Sequence, residues 1–348
     1  MSIALLLDMA VSSNPDRLAV VSNEVRLTTG ELSELAEGGA GVIAASGAQH
    51  VAYVGTGGVM LPLLIFSSAR SGLAFTPINY RLSTEGIRSL IERLPDPLVV
   101  VDDRYREMVG DAGTVVMGSE EFLAAARIAD PVGEFPDPDA VAIVLFTSGT
   151  TSKPKAVELS HNNLTSYVTG TVEFESADPT DAALICVPPY HIAGVGAALS
   201  NLYAGRKMVY LPNFDAQEWV RLVNDEGVST ATVVPTMLDR IVAVLEGGGH
   251  DLPTLRNLAY GGSKVGAAPG PQGAGAVAEC RLRQRLRADR DQLHHRGADP
   301  RRPPAAPMVP TIRRSPSGCD RWASPCRVSR CRSATTTARC WGLEKPAS

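Results

Sequence analysis

Val141-Ala142-Ile143-Val144-Leu145-Phe146 is an unbroken apolar run that ends in Thr147-Ser148-Gly149-Thr150-Thr151-Ser152-Lys153-Pro154-Lys155. The apolar run reads as a buried strand, so a hydroxyl-rich loop with two lysines stands at the end of a central strand. Hydroxyls, backbone N–H groups and two ammonium groups offer donors to one region of space. Such a surface suits a polyanion, and a nucleotide triphosphate fits. Gly149 lets the backbone approach a ligand closely, and Pro154 stops the loop from continuing as helix. The plain alternative is a polar surface turn, which is rarely this long and this rich in donors. The P-loop of kinases and GTPases is excluded, because Gly-Lys-Ser/Thr opening a helix is missing. Ala156-Val157-Glu158-Leu159 instead reads as a strand leaving the loop.

The chain around this stretch alternates strands and helices. Ile3, Leu6, Leu7 and Ala10 share one face of a short docking helix. Leu18–Ser22 and Glu24–Leu27 form a hairpin, and Thr28 with Glu31 makes a capping box for a helix reaching Ser46. Strands follow at Val51–Gly55, Ala74–Ile78 and Asp96–Asp102, with a helix over Met60–Ala69. Ser160 caps a helix beginning at His161. Further strands fall at Ala182–Val187, Met208–Leu211, Thr230–Pro235 and Leu255–Tyr260. Asp215 with Glu218 caps a helix carrying Trp219, and another helix spans Met237–Leu245. This rhythm predicts an α/β fold of layered, mainly parallel sheets flanked by helices.

Composition divides the chain near Val265. Residues 1–265 carry 17 Lys+Arg against 31 Asp+Glu, whereas 266–348 carry 16 against 6. The second part also holds five of the six cysteines (Cys280, Cys319, Cys326, Cys331, Cys340) and only eight Leu, Ile or Val. So little apolar surface cannot offset chain entropy, and a disordered tail is expected. The lone Cys186 of the first part points to a reducing, cytoplasmic location. No stretch is long and apolar enough to span a membrane.

The 147–155 loop resembles the signature of the adenylate-forming (AMP-binding) superfamily, roughly S/T-S/T-G-T-T-G-x-P-K-G, in its acyl-CoA synthetase branch. Ser152 and Ala156 stand where that pattern has glycine. The resemblance covers residues 1 to about 265. It implies ATP-dependent conversion of a carboxylic acid, fatty or otherwise apolar, to acyl-AMP and then acyl-CoA, with ATP, Mg²⁺ and CoA as cofactors. Thr147, Ser148, Gly149, Thr150, Thr151, Ser152, Lys153 and Lys155 would bind the phosphates. Pro188-Pro189-Tyr190-His191-Ile192-Ala193-Gly194 resembles the family's P-x-x-H-x-x-G, whose histidine faces the carboxylate; a bare helix cap is the alternative for His191. Gly261, Gly262 and Ser263 match its adenine turn. Thr236 resembles a residue beside the acyl pocket, or else a helix cap. Asn79-Tyr80-Arg81-Leu82-Ser83 matches an N-x-R-L-T element in which Arg81 reads as structural.

After Val265 the family's Y-G-x-T-E, its metal glutamate, its ribose aspartate and its carboxy-terminal lysine find no counterpart. Restarting each codon of Leu286–Gln292 at its second base permits Tyr-Gly-Leu-Thr-Glu-Thr. A change of reading frame near Val265 and Gly266 is therefore expected. It would leave a partial amino-terminal AMP-binding domain at 1–265, an out-of-frame tail at 266–348, no lysine-bearing domain and a truncated, inactive product. A remnant that only binds nucleotide is the alternative to an enzyme. Arginines at Arg281–Arg287 would attract nucleic acid without specificity. No metal-ligand cluster stands out, and the oligomeric state is not legible.

Overall fold

The computed structural model describes residues 1–110, 115–133, 136–147, 154–248 and 251–260, together with the backbone of Thr311–Arg314. Its strands are β1 (Leu18–Ser22), β2 (Val25–Thr28), β3 (His50–Val54), β4 (Phe75–Pro77), β5 (Pro97–Val101), β6 (Val115–Gly118) and β7 (Val141–Thr147). They continue as β8 (Lys155–Ser160), β9 (Ala182–Ile185), β10 (Lys207–Tyr210), β11 (Thr230–Val233), β12 (Asn257–Tyr260) and β13 (Thr311–Arg314). The helices are α1 (Ala4–Ser13), α2 (Thr29–Ser46), α3 (Met60–Arg70), α4 (Thr84–Ile91) and α5 (Arg106–Val109). After them come α6 (Ser119–Ala126), α7 (His161–Thr171), α8 (Ile192–Tyr203), α9 (Ala216–Asp225) and α10 (Pro235–Glu246).

The predicted caps set several helix starts. Thr28 accepts from the Glu31 amide while Glu31 reaches back to the Thr28 amide, a complete capping box on α2. Ser160 accepts from Asn163 N at α7, and Asp215 accepts from Gln217 N and Glu218 N at α9. The α1 helix docks through Ile3, Leu6 and Leu7, all fully buried, and His161 Nδ1 accepts from the Ile3 amide at 3.3 Å.

Two sheets result. The first runs β13-β12-β11-β9-β10-β1-β2 and is parallel except for the edge strand β2. The second runs β6-β5-β3-β4-β7-β8 and is parallel except for β8. Strands such as β3 and β5 are buried at every position, because helices cover both of their faces. The core falls into three apolar bodies. The largest lies between the sheets and includes Leu35, Phe66, Leu199 and Met208. A second packs α9 and α10, with Trp219 at its centre, on the outside of the first sheet. The third packs Ile87 and Leu90 on the outside of the second sheet. Layered α/β architecture is thus as the sequence predicts.

Two expectations need correction. The strand β7 is not central: it lies next to the edge, and β8 turns back antiparallel to close that edge. It pairs with β4 on one side and with the edge strand β8 on the other, and Ala142 to Leu145 of its apolar run are buried. The expected tail without regular structure also has an exception. Thr311–Arg314 pairs in parallel with β12, Asn257 opposite Thr311. A four-residue extended segment is enough to satisfy the outer backbone groups of β12 that would otherwise lack partners. Among the described residues no helix is long and apolar enough to cross a membrane.

Candidate functional site

Strands of both sheets end at one cleft of about 440 Å³. Loops after β9 and β10 supply Pro188 and Asn213, the start of α10 after β11 supplies Thr236, and loops after β3 and β4 supply Gly57 and Arg81. Ligands of open α/β sheets bind outside the carboxyl ends of the strands, where these loops converge.

Asp102, just past β5, fixes one wall. Its carboxylate accepts from the Thr56 amide at 2.8 Å and from the Ser119 hydroxyl at 2.7 Å, and the Tyr53 hydroxyl lies 3.0 Å away. Burial, then the Asp102 charge, pushes the Tyr53 phenol well up, so it stays a neutral donor. Arg104 donates to Thr56 Oγ1 at 3.0 Å and approaches Asn213 Oδ1 at 3.5 Å, linking the ends of the two sheets. Tyr80 stacks on Tyr105 and meets Tyr190 edge-on, with ring centres 5.2 and 5.5 Å apart.

His191 is the N-cap of α8, its Nδ1 accepting from the Ala193 amide at 3.1 Å. The capping alternative is therefore realised. The same bond makes Nδ1 the acceptor, which leaves Nε2 of this exposed residue as the ring's donor. The turn before it is tight: a Cβ on Gly194 would stand 2.7 Å from the Pro188 carbonyl oxygen. Thr236 is exposed in the first turn of α10 and lines the cleft. Cys186 also lines it, but burial pushes its thiol up to about 12, which leaves it unreactive.

The predicted phosphate loop is anchored by the β7–β8 hairpin. Thr147 and Lys155 pair across the ladder, and the Thr147 hydroxyl reaches the Lys155 carbonyl oxygen at 3.5 Å. Both are exposed. Ser148, Gly149, Thr150, Thr151, Ser152 and Lys153 lie outside the described residues, as do Gly261, Gly262 and Ser263. Arg93, which the sequence reading passed over, clamps the hairpin base. Its guanidinium lies 4.7 Å from the Phe146 ring centre and donates to the Pro154 carbonyl at 2.9 Å. No local pattern marks Arg93, because its partners lie more than fifty positions along the chain. Arg81, read as structural, lines the cleft, where its exposed guanidinium makes no hydrogen bond among the described residues. Its amide donates to Asn79 Oδ1 at 3.0 Å. No group of three His, Cys, Asp or Glu able to hold a metal occurs among the described residues.

Two mostly parallel sheets, flanked by helices and opening on a common cleft, define a layered α/β protein. The chain belongs to the AMP-binding enzyme family, whose model matches residues 7–272. It is 32% identical over 232 residues to a fatty acid–[acyl-carrier-protein] ligase of Streptomyces coeruleorubidus, covering 63% of this chain and 44% of that protein. It is 27% identical over 278 residues to an indoleacetate–CoA ligase of Aromatoleum aromaticum, covering 74% and 54%. Among solved structures, the inhibitor-bound N-terminal domain of FACL13 from Mycobacterium tuberculosis superposes with a TM-score of 0.67. That match has 23% identity and covers 75% of this chain and 70% of that one. ATP-bound MatB from Rhodopseudomonas palustris superposes with a TM-score of 0.64 at 25% identity, covering 75% and 55%. The chain spans about half the length of the curated relatives it matches.

Proposed function

We propose that this fold binds ATP and a carboxylic acid for acyl-adenylate formation, the first half-reaction of an acid–thiol ligase. The acid's carboxylate oxygen bonds to the α-phosphorus while the bond to the bridging oxygen breaks, and pyrophosphate leaves. In the intact enzyme the sulfur of a thiol, of CoA or of a carrier protein, then bonds to the acyl carbon while the bond to the AMP phosphate oxygen breaks, releasing AMP and the thiol proton. The observation that carries this reading is the opposed pair Thr147 and Lys155 at the mouth of the β7–β8 hairpin, in a chain of the AMP-binding family. The Thr147 hydroxyl and the Lys155 ammonium, with Ser148 to Lys153 between them, hold the phosphates and stabilise charge on the departing pyrophosphate. His191 donates from Nε2 to the carboxylate. Thr236 stands beside the acyl chain, and Gly261, Gly262 and Ser263 take the adenine. Mg²⁺ would supply charge neutralisation at the phosphates; the described residues contain no cluster of three His, Cys, Asp or Glu to hold it.

We assign residues 1–265 to a partial amino-terminal domain and 266–348 to sequence read out of frame, in a cytoplasmic protein. This polypeptide alone then turns over negligibly, because metal and lysine contributions worth several kcal/mol are missing from the residues after Val265. Two measurements test the reading. A fluorescent ATP analogue should bind the purified chain and lose affinity in Lys155→Ala. Carboxylate-dependent pyrophosphate release should stay at background. No saturable nucleotide binding would sink the assignment, and robust pyrophosphate release would refute the inactivity. Sequencing the gene across Val265 and Gly266 tests the frame change directly.

A further inference from the structure

The cleft carries two guanidiniums and no carboxylate. Arg81 stands on the loop after β4 and Arg240 on α10, and both line the cleft, whereas no Asp or Glu among the described residues does. This is a strongly biased surface in a part of the chain where acids outnumber bases. Elsewhere arginines meet acids: Arg17 pairs with Glu175, Arg26 with Glu226 and Arg70 with Asp8. Arg81 and Arg240 make no ion pair and no guanidinium hydrogen bond among the described residues.

They are held by aromatic faces instead. The Arg81 guanidinium lies 5.6 Å from the Tyr80 ring centre, and that of Arg240 lies 5.1 Å from the Phe214 ring centre. Tyr80 and Phe214 themselves line the cleft. Contact with a ring face does not consume the N–H donors of a guanidinium, which stay available to a carboxylate. The first turn of α10, with Thr236 and Met237, faces the same space and adds the positive end of a twelve-residue helix. Apolar contacts from Val187, Leu211 and Met237 line the space as well and fit a short hydrocarbon spacer.

We propose that Arg81 and Arg240 form a second anion site, which takes the distal carboxylate of a dicarboxylic acid while its other carboxylate is presented for activation. The inference rests on the acid-activation reading above and narrows its substrate class from simple fatty acids to acids with a charged far end. The shared chemistry is an anionic oxygen pair, and a phosphate of ATP or CoA would offer the same oxygens, so the test separates these sources.

The test is equilibrium dialysis of the full chain against radiolabelled succinate, glutarate, adipate and suberate, each matched with butyrate, valerate, hexanoate or octanoate. ATP and CoA are titrated in parallel. At least one dicarboxylate should bind about tenfold more tightly than its matched monocarboxylate, the effect of one charge-assisted pair. Arg240→Gln and Arg81→Gln should each remove that preference while leaving ATP and CoA affinity and the circular dichroism spectrum unchanged. Arg240→Lys should keep part of it. Equal binding of the two acid series overturns the proposal, as does the absence of saturable acid binding. A parallel loss of ATP or CoA affinity in Arg240→Gln also overturns it, by giving the arginines to a phosphate. Failure of ATP itself to bind the parent chain would instead strike the acid-activation reading, so the two failures are distinguishable.

Discussion

Glu226 offers a quantitative test of how the first sheet is held. It follows the last turn of α9, where a negative charge meets the negative end of the helix dipole. Its carboxylate compensates by gripping two cations. Arg26 of β2 donates to both oxygens, at 2.8 and 3.1 Å, and Lys207 of β10 donates at 2.8 Å. The Arg26 hydrogen bonds first, and then those of Lys207, hold the Glu226 carboxyl down, from 4.5 to about 2, against the opposing effect of burial. At about 1.4 kcal/mol per pKa unit, that shift taken whole would be worth about 3 kcal/mol. The Arg26 side chain is 49% exposed, so solvent screening reduces the figure to about 1–2 kcal/mol.

The folded-state value is depressed, so this contribution is complete above the unfolded value near 4.5 and disappears as pH falls through about 2. Glu226→Gln should therefore lower the urea midpoint at neutral pH by the equivalent of about 1–2 kcal/mol, with an unchanged slope. The gap to the parent chain should narrow as pH falls from about 4.5 towards about 2, and should shrink in high salt. Urea melts followed by far-ultraviolet circular dichroism at several pH values measure this. A neutral-pH midpoint equal to that of the parent refutes the reasoning, and so does a gap that stays constant down to about pH 2.

Three further outcomes are expected. Arg93→Gln should weaken binding of a fluorescent ATP analogue about three- to tenfold while costing about 1 kcal/mol of stability, because it removes only the Phe146 stack and the Pro154 bond from the hairpin base. Gly194→Ala should destabilise the chain by about 1–3 kcal/mol in thermal melts, since its Cβ would meet the Pro188 carbonyl oxygen at 2.7 Å. His191→Ala should cost about 0.5–2 kcal/mol through loss of the α8 cap, whereas His191→Asn should keep most of that stability. If both His191 variants bind carboxylic acids as the parent does, in equilibrium dialysis, the imidazole has no role beyond the cap.

The local features of this fold were legible because each has a local cause. The Thr28–Glu31 box, the Ser160 and Asp215 caps and the apolar β3 and β5 all follow from residues a few positions apart. What the sequence concealed depends on distant partners. The pair β6 and α6 escaped notice, since Val115–Gly118 is a short, partly exposed edge strand with no clear alternation. The edgeward placing of β7 depends on where β8 and β4 pair, which no periodicity records. At the candidate site, the hairpin ends, His191 and Thr236 were singled out from their motifs. Arg93, Arg104 and Arg240 were missed, because a guanidinium's role is decided by the rings and carbonyls it meets after folding.

The placement of β1 between β2 and β10 bears on how the molecule is made. Val20 is paired on one side with Leu27, available at once, and on the other with Met208, synthesised far later. Strands β3 to β8 come from one continuous stretch and need no later segment to complete their sheet. On the ribosome the β1–β2 hairpin must therefore wait, one edge open, while an entire second sheet emerges and assembles. Slow codons or a stall before β10 would prolong that interval, making the amino-terminal hairpin the place where a nascent chain of this design first recruits chaperones or aggregates.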